Sequence, residues 1–444
     1  MFSKSINIKT LTPVFIGSGE VIGSFEYLIH NNKLFRLNLN SCFKFIFNKR
    51  NDAFDLLNKW SEEKSSQLTF NSNRARSDLN MSIFDFIKDK NYLSDSKLYD
   101  ELIKEIESGK HIYYAIKSTS DTRSRDITAL LKTANNQIYL PGSSIKGMIR
   151  TALLMDALER KLEDSDFKKM FISKLRNSLS GNPNKNNIGE FVEQEIFYAG
   201  NTTKNGITYR DEKFDLMKFI HISDSNALDL SNYAILTKTQ LLTFNKNEVQ
   251  GQSPFIEAIA KDIEFNCRIT IDIEYIKTVY QSKKSNEWIE FDKKINTLFN
   301  LSITNLINKT DQEFGDVIFK KIEESLSHQS DLIYNNEIQW LENSEMKRTM
   351  SSKRIYDKFI SNLRDDKIIL KLGQGMSFVN NTIIKIINDI DPDLSLKILN
   401  NRNLGIIRKG QLKDINEFPK SRKLSGNYNS IIGLGWIELI FGDN

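Results

Sequence analysis

Cysteine is nearly absent: Cys42 and Cys267 stand alone and far apart in 444 residues. That excludes a disulfide framework and a thiolate zinc site. The four histidines (His30, His111, His221 and His328) are scattered, with no HExxH and no other spaced ligand pair. Each therefore reads as structural, and neither a metal nor a cofactor is expected. No apolar run approaches the ~20 residues of a membrane span, and the opening MFSKSINIKTLTPV lacks the continuous apolar core of a signal peptide. A soluble cytoplasmic protein without membrane contact is the expectation. Nor does one sign of charge dominate. With 62 basic and 57 acidic residues the net charge is +5, which permits an anionic partner without requiring one.

What is present is a globular composition, 39% apolar and 10% aromatic, on a chain long enough for two or three domains. Phe2–Thr12 alternates as a half-buried strand, and Gly17-Ser18-Gly19 follows as a hairpin loop. The spacing GxGxxxG, completed by Gly23, misses the dinucleotide fingerprint by one residue. Phe25–His30 and Lys33–Leu39 are strands joined by the turn Asn31-Asn32. Residues 40–110 switch to helical periodicity and read as an insertion. His111–Ile116 resumes a strand, and Lys117–Thr133, with Arg123 and Arg125, is a polar basic arm or a solvated loop. Asn177–Gly189, rich in Asn, Ser, Gly and Pro, reads as a linker, so a domain boundary is expected near residue 185. Beyond it, Phe219–Ser223, Ala234–Thr239 and Phe265–Ile276 read as strands, and Asp292–Asn343 and Lys347–Leu363 as helices. Ile368–Leu372 is a strand broken by Gly373-Gln374-Gly375, and Thr382–Ile390 is a helix. A basic turn, Pro419-Lys420-Ser421-Arg422-Lys423, precedes a glycine-interrupted closing strand, Ile431–Ile440.

The most informative stretch is Leu140–Leu162, LPGSSIKGMIRTALLMDALERKL. Pro141-Gly142 is a turn signal, Ser143 or Ser144 can cap a helix, and Ile145, Met148, Ile149, Ala152, Leu153 and Leu158 recur at helical spacing. A helix N-terminus favours acidic residues, yet the first charges here are Lys146 and Arg150, and the first acid is Asp156. Backbone N–H groups, two hydroxyls and two cations thus meet at one helix start. That arrangement suits a phosphate, although a capped surface helix with two solvated cations has the same pattern. It is not a Walker A loop, because the Lys precedes the second Gly and no Gly-Lys-Ser/Thr follows.

PGSSIKGMIRTALL resembles the signature of the repeat-associated (RAMP) proteins of type III CRISPR effectors. Three further stretches match that family in order: LTPVFIGSGE, KLGQGMSF and PKSRKL…GLGWIEL. Together they are most similar to the subunit type that caps the backbone of a type III-A (Csm) effector at the 3′ end of its guide RNA. The resemblance implies an α+β chain of two tandem ferredoxin-like, RNA-recognition-type domains. These would span 1–185 and 186–444, with helical insertions at about 40–110 and 290–365. It also implies that the glycine loops and the PGSSIKG element line the path of the guide RNA (crRNA), where glycine lets backbone approach phosphate. The expected RNA contacts are Gly17, Ser18, Gly19, Arg123, Arg125, Gly142, Ser143, Ser144, Lys146, Arg150, Gly373, Gln374, Gly375, Lys420 and Arg422. Expected partners are crRNA and the other Csm subunits, above all the repeated backbone subunit.

Related backbone subunits that cut RNA carry an Asp after the first glycine turn. The nearest match here is Glu26, accompanied only by Glu20 and His30. No recognisable acid–base pair stands near a glycine loop, so a non-catalytic subunit is expected. The competing readings are a RAMP endoribonuclease using Glu26, His30 or His111, and a scaffold whose contacts are mostly with protein.

Overall fold

The computed structural model describes the chain except residues 71–80, 120–125, 181–182, 184, 205–206, 245–248, 251–253, 282–287, 345–351, 364–366, 408–409, 427–431 and 443–444. Arg123 and Arg125 lie outside the described residues.

Two sheets organise the molecule. The first has five strands in the order Ile220–Ile222, Glu264–Ile271, Phe2–Thr10, Trp436–Phe441 and Ile368–Lys371. All its pairings are antiparallel, with Ile6 opposite both Cys267 and Phe441. The alternation of the opening strand predicts this position: Phe2, Ile6 and Ile8 are buried while Ser3, Ser5 and Asn7 are exposed. The second sheet runs Gly17–Gly23, Asp126–Leu130, Phe255–Ile259, Ala234–Thr243, Ile112–Ser118, Lys33–Leu37 and Tyr27–His30; Val249–Gln250 and Ser421–Ser425 also pair with Ala234–Thr243, and Ile432–Gly433 pairs with Ser421–Ser425. Both sheets draw strands from either side of residue 185, and one apolar core runs from Phe2 to Leu439.

Helices cover the sheets. The signature helix, Gly142–Leu162, packs against the 33-residue helix Asp311–Asn343, which also crosses the first sheet. The insertion expected at 40–110 is four helices, Leu39–Lys49, Ala53–Phe70, Ile83–Lys88 and Ser96–Glu107. Against Leu28, Phe35 and Leu37 of the second sheet they close a second core around Trp60, Phe84, Phe86 and Leu102. In the later insertion, the expected continuous helix from residue 292 is three: Phe291–Phe299, Ile303–Leu306 and Asp311–Asn343. It breaks first where Asn300 takes the left-handed conformation.

Several boundaries differ from the sequence reading. Gly17, Ser18 and Gly19 lie inside an exposed edge strand, with a register shift between Gly17 and Val21, rather than in a hairpin loop. Such a bulge accommodates Gly19 at φ +87°. The long strand stops at Ile271 because the Asp272 carboxylate accepts the Tyr275 N–H and opens a helix, Ile273–Gln281. Part of the polar arm is the strand Asp126–Leu130. The linker shrinks from both ends, because helices run to Ser178 and restart at Lys185. The Asn31-Asn32 turn is as read, with both residues at positive φ, as a tight hairpin requires.

Candidate nucleic-acid interface

The structure brings three of the four signature stretches together. Gln374 N–H donates to the Phe15 carbonyl (2.8 Å), Gly435 N–H to Pro13 (2.8 Å) and Leu372 N–H to Gly435 (2.7 Å). The glycines are what allow this. A Cβ on Gly373 would lie 2.2 Å from the Phe15 carbonyl oxygen, and one on Gly375 would lie 2.2 Å from that of Leu434. Both also take positive φ, +70° and +114°. Their close approach is therefore to the chain's own backbone, where the sequence suggests a phosphate.

That interlock walls a cleft of about 360 Å³, formed by Gly373–Phe378 on one side and Pro419, Ser421, Arg422 and Lys423 on the other. The Gln374 side-chain oxygen is buried there without a hydrogen-bond partner. Lys420 and Lys423 are exposed. Arg422 is not: it is 5% exposed, donates from Nε to Glu337 (2.8 Å) and lies over the Trp340 ring.

Glu337 is fully buried and also accepts from Lys371 Nζ (2.8 Å) and the Tyr356 hydroxyl (3.2 Å). Burial alone would raise its pKa, but the Arg422 and Lys371 charges prevail and hold it down at about 2. Burial lowers the Lys371 pKa against the pull of Glu337, and raises that of the Tyr356 phenol. One carboxylate faces two cations, so the buried cluster carries net positive charge beside the cleft. Sequence reasoning found Arg422 but not this setting. Glu337 and Trp340 sit 85 and 82 positions before it in sequence, and no local pattern links them.

The fourth stretch, PGSSIKG, packs elsewhere, against Ile222–Asp224. A Cβ on Gly142 would strike the Ile222 carbonyl, 2.3 Å away. The helix begins at Gly142 after Pro141 as N-cap, so neither Ser143 nor Ser144 caps it. The acid missing from its first turn comes from another segment: Asp224 accepts the Gly142 N–H at 2.7 Å. Ser143 is exposed, and Ser144 and Lys146 are half-buried. Burial and the neighbouring Arg150 lower the Lys146 pKa, while Asp215 opposes them. Arg150 is committed within the chain. It binds Glu193 and Asp215 (2.7 Å to the latter) and stacks over Phe197. Burial opposes its charge, but Asp215 and Glu193 outweigh burial and raise its pKa.

Glu26 accepts from Gly23 N–H (2.8 Å) and from Arg36 (3.0 Å), which also binds Glu20. His30 faces Glu107, and His111 accepts or donates at Ser41 (2.7 Å) inside the insertion. A carboxylate that sequence reasoning did not select, Glu257, is fully buried beneath the Gly17–Gly23 edge. It binds the Tyr114 hydroxyl (2.6 Å), Leu130 N–H (3.1 Å) and Lys132 (3.4 Å), tying strands together. Among the described residues, no group of three or more His, Cys, Asp or Glu could hold a metal. No described helix is long and apolar enough to cross a membrane.

The RAMP superfamily profile matches residues 7–326. A CRISPR system protein named Csm5 from Methanocaldococcus jannaschii is 26% identical over 452 residues, covering 98% of this chain and 88% of that one. Csm5 of Enterococcus italicus is 27% identical over 154 residues, 33% of this chain and 42% of its own. In structure, the chain resembles a component of a Csm–crRNA–target RNA ternary complex of a type III-A CRISPR-Cas system. The TM-score is 0.58 at 17% identity, covering 99% of this chain and all of that one. The crystal structure of T. onnurineus Csm5 matches with TM-score 0.58 at 16% identity, covering 97% and 99%. The shared fold is α+β and built on ferredoxin-like units with inserted helices.

Proposed function

The chain belongs to the RAMP superfamily, and from that premise we propose that it is a non-catalytic crRNA-binding subunit of a type III-A Csm ribonucleoprotein. Near-full-length similarity to a protein named Csm5, and the fold shared with a chain of a Csm–crRNA–target RNA complex, support this reading. Its place in the effector is the 3′ end of the guide, capping the filament of the repeated backbone subunit. In this reading the chain halves 1–185 and 186–444 correspond to two ferredoxin-like units that exchange strands.

The observation that carries the RNA reading is the cleft beside Gly373–Phe378. Exposed Lys423 lines it, exposed Lys420 lies between its lining residues Pro419 and Ser421 in sequence, and Glu337 leaves the buried cations Lys371 and Arg422 incompletely neutralised. A positive groove of this kind tracks a single-stranded backbone. In this reading Gln374, Lys420 and Lys423 contact RNA along the cleft, and Ser143, Ser144 and Lys146 contact it at the signature helix. The exposed edge Gly17–Gly19 flanks the path. Arg150, Arg422, Gly142, Gly373 and Gly375 hold these groups in place from behind. Glu26, engaged by Arg36 and Gly23, serves the loop rather than chemistry.

The test is a native pull-down of the full chain, scored for small RNA and companion subunits, followed by incubation of the purified chain with labelled RNA with and without Mg²⁺. Co-purifying crRNA with Csm subunits, and intact RNA, are expected. Absence of RNA and subunits would sink the assignment, and cleavage abolished by Glu26→Ala would replace it with an endoribonuclease.

A further inference from the structure

A second cavity, of about 220 Å³, lies between the signature helix, the helix Asp311–Asn343 and the segment from Val379 to Asp389. It shares a chain segment with the cleft, since Phe378 lines the cleft and the next two residues line the cavity. At about 30 Å³ per water it holds roughly seven waters, the size class of one heterocyclic ring. Leu332, Ile333 and Ile386 supply apolar walls.

Two amides there are unexplained. Asn380 is 2% exposed, and both its side-chain oxygen and nitrogen lack a partner. Gln329 is 3% exposed, and its side-chain oxygen lacks one. Buried amides are nearly always paired, because leaving them unpaired forfeits their hydration. Both line the same cavity, and the unpartnered atoms of these two amides offer it two acceptor oxygens and one donor amino group. Such a set complements an exocyclic amine beside a ring nitrogen. An asparagine amide reads adenine in this way. Uracil would leave the Gln329 oxygen unpaired. A phosphate is disfavoured, because Glu159 and Asp389 outnumber Lys385 around the cavity.

We propose that this cavity is a nucleobase pocket that takes a base with an exocyclic amine, adenine, cytosine or guanine, turned out of the RNA strand beside the cleft. The inference rests on the RNA-binding reading above for the source of the base, and a free nucleotide would present the same chemistry.

The experiment measures binding of labelled oligo(A), oligo(C) and oligo(U) to the full chain at one salt concentration. Thermal shifts with AMP, CMP, GMP and ribose 5-phosphate are measured alongside. Oligo(A) or oligo(C) should bind about tenfold more tightly than oligo(U). Asn380→Leu and, separately, Gln329→Leu should erase that preference and leave oligo(U) affinity unchanged. Neither variant should lower the melting temperature of the free protein, since an unpaired buried amide gives way to an apolar group. A shift with AMP, CMP or GMP that Asn380→Leu abolishes would identify a free nucleotide as occupant. Preference among the oligonucleotides without that shift identifies a base of the RNA. Equal affinity for the three, with no nucleotide shift, overturns the pocket and means it holds only water. A preference that survives both variants overturns it too. Salt-sensitive binding of oligo(U) reports separately on the backbone reading: its loss would sink that reading, and the nucleotide shifts would still decide the pocket.

Discussion

Lys146 and Arg150 stand one helical turn apart, and the structure separates their roles. Arg150 is held by Glu193 and Asp215, so Arg150→Ala strands two carboxylates and should cost about 2 kcal/mol, read as a lower melting temperature. Lys146→Ala should leave stability unchanged. On the RNA-backbone reading it should lower the slope of log affinity against log salt by about 0.7, equally for every RNA sequence. An unchanged slope would mean that the cation is only solvated. Glu337 gives a prediction of a different kind. Its carboxyl sits at about 2 in the folded protein against an ordinary value of 4.5. The depressed value means that its contribution is complete above about 4.5 and fades as pH falls toward 2. Glu337→Gln should lose about 3–5 kcal/mol at neutral pH, because Lys371 and Arg422 remain buried without their anion. Urea titrations across pH should show the gap between wild type and variant closing below pH 4.5. A gap independent of pH would exclude this carboxylate as the cause.

At the scale of elements, the glycine loops are joints between strands before they are anything else. The turn after Ile368–Lys371 fits against the ends of Phe2–Thr10 and Trp436–Phe441 only because Gly373, Gly375 and Gly435 carry no Cβ. Gly375→Val should therefore fail to accumulate as folded protein, or melt far below wild type, whether or not RNA is present. Gly19→Ala is the matched control. It shares a positive φ, but nothing lies within 4 Å, so the strain alone should cost about 1 kcal/mol. If Gly375→Val melts like wild type, the joint is looser than the packing implies. The helical insertion behaves differently, since its core around Trp60 is separate from the main one. That core is completed by Leu28, Phe35 and Leu37 of the second sheet, so changes in its helices are felt at that edge of the sheet.

At the scale of the molecule, strand exchange between the chain halves governs integrity. Phe2–Thr10 lies between Glu264–Ile271 and Trp436–Phe441, so the N-terminal half completes a sheet made otherwise of C-terminal strands. The halves proposed at 1–185 and 186–444 can be separate in sequence without being separable in solution. Limited proteolysis within residues 177–189 should give two fragments that co-migrate in gel filtration and part only in denaturant. Fragments that separate without denaturant would show that the shared sheet contributes little. The cleft depends on the same exchange: Phe15 of the first half and Leu434 of the second both hold the Gly373–Gly375 turn.

Local pattern was enough for part of this. Alternation revealed the opening strand, paired asparagines revealed a turn with two positive φ values, and helical spacing revealed the buried face of Gly142–Leu162. In each case the signal spans a few adjacent residues and obeys the period of one element. The order of four short motifs was likewise enough to place the chain in its superfamily. Contacts across the sequence were not legible. Nothing adjacent to Arg422 indicates that Glu337 will neutralise it, nothing near Gly142 announces Asp224, and Asn380 and Gln329 share a cavity although 51 positions separate them. Periodicity tells which side of an element turns inward. What it meets there depends on how the two sheets and their covering helices pack, and that decided which cations are spent inside the fold and which remain at the surface.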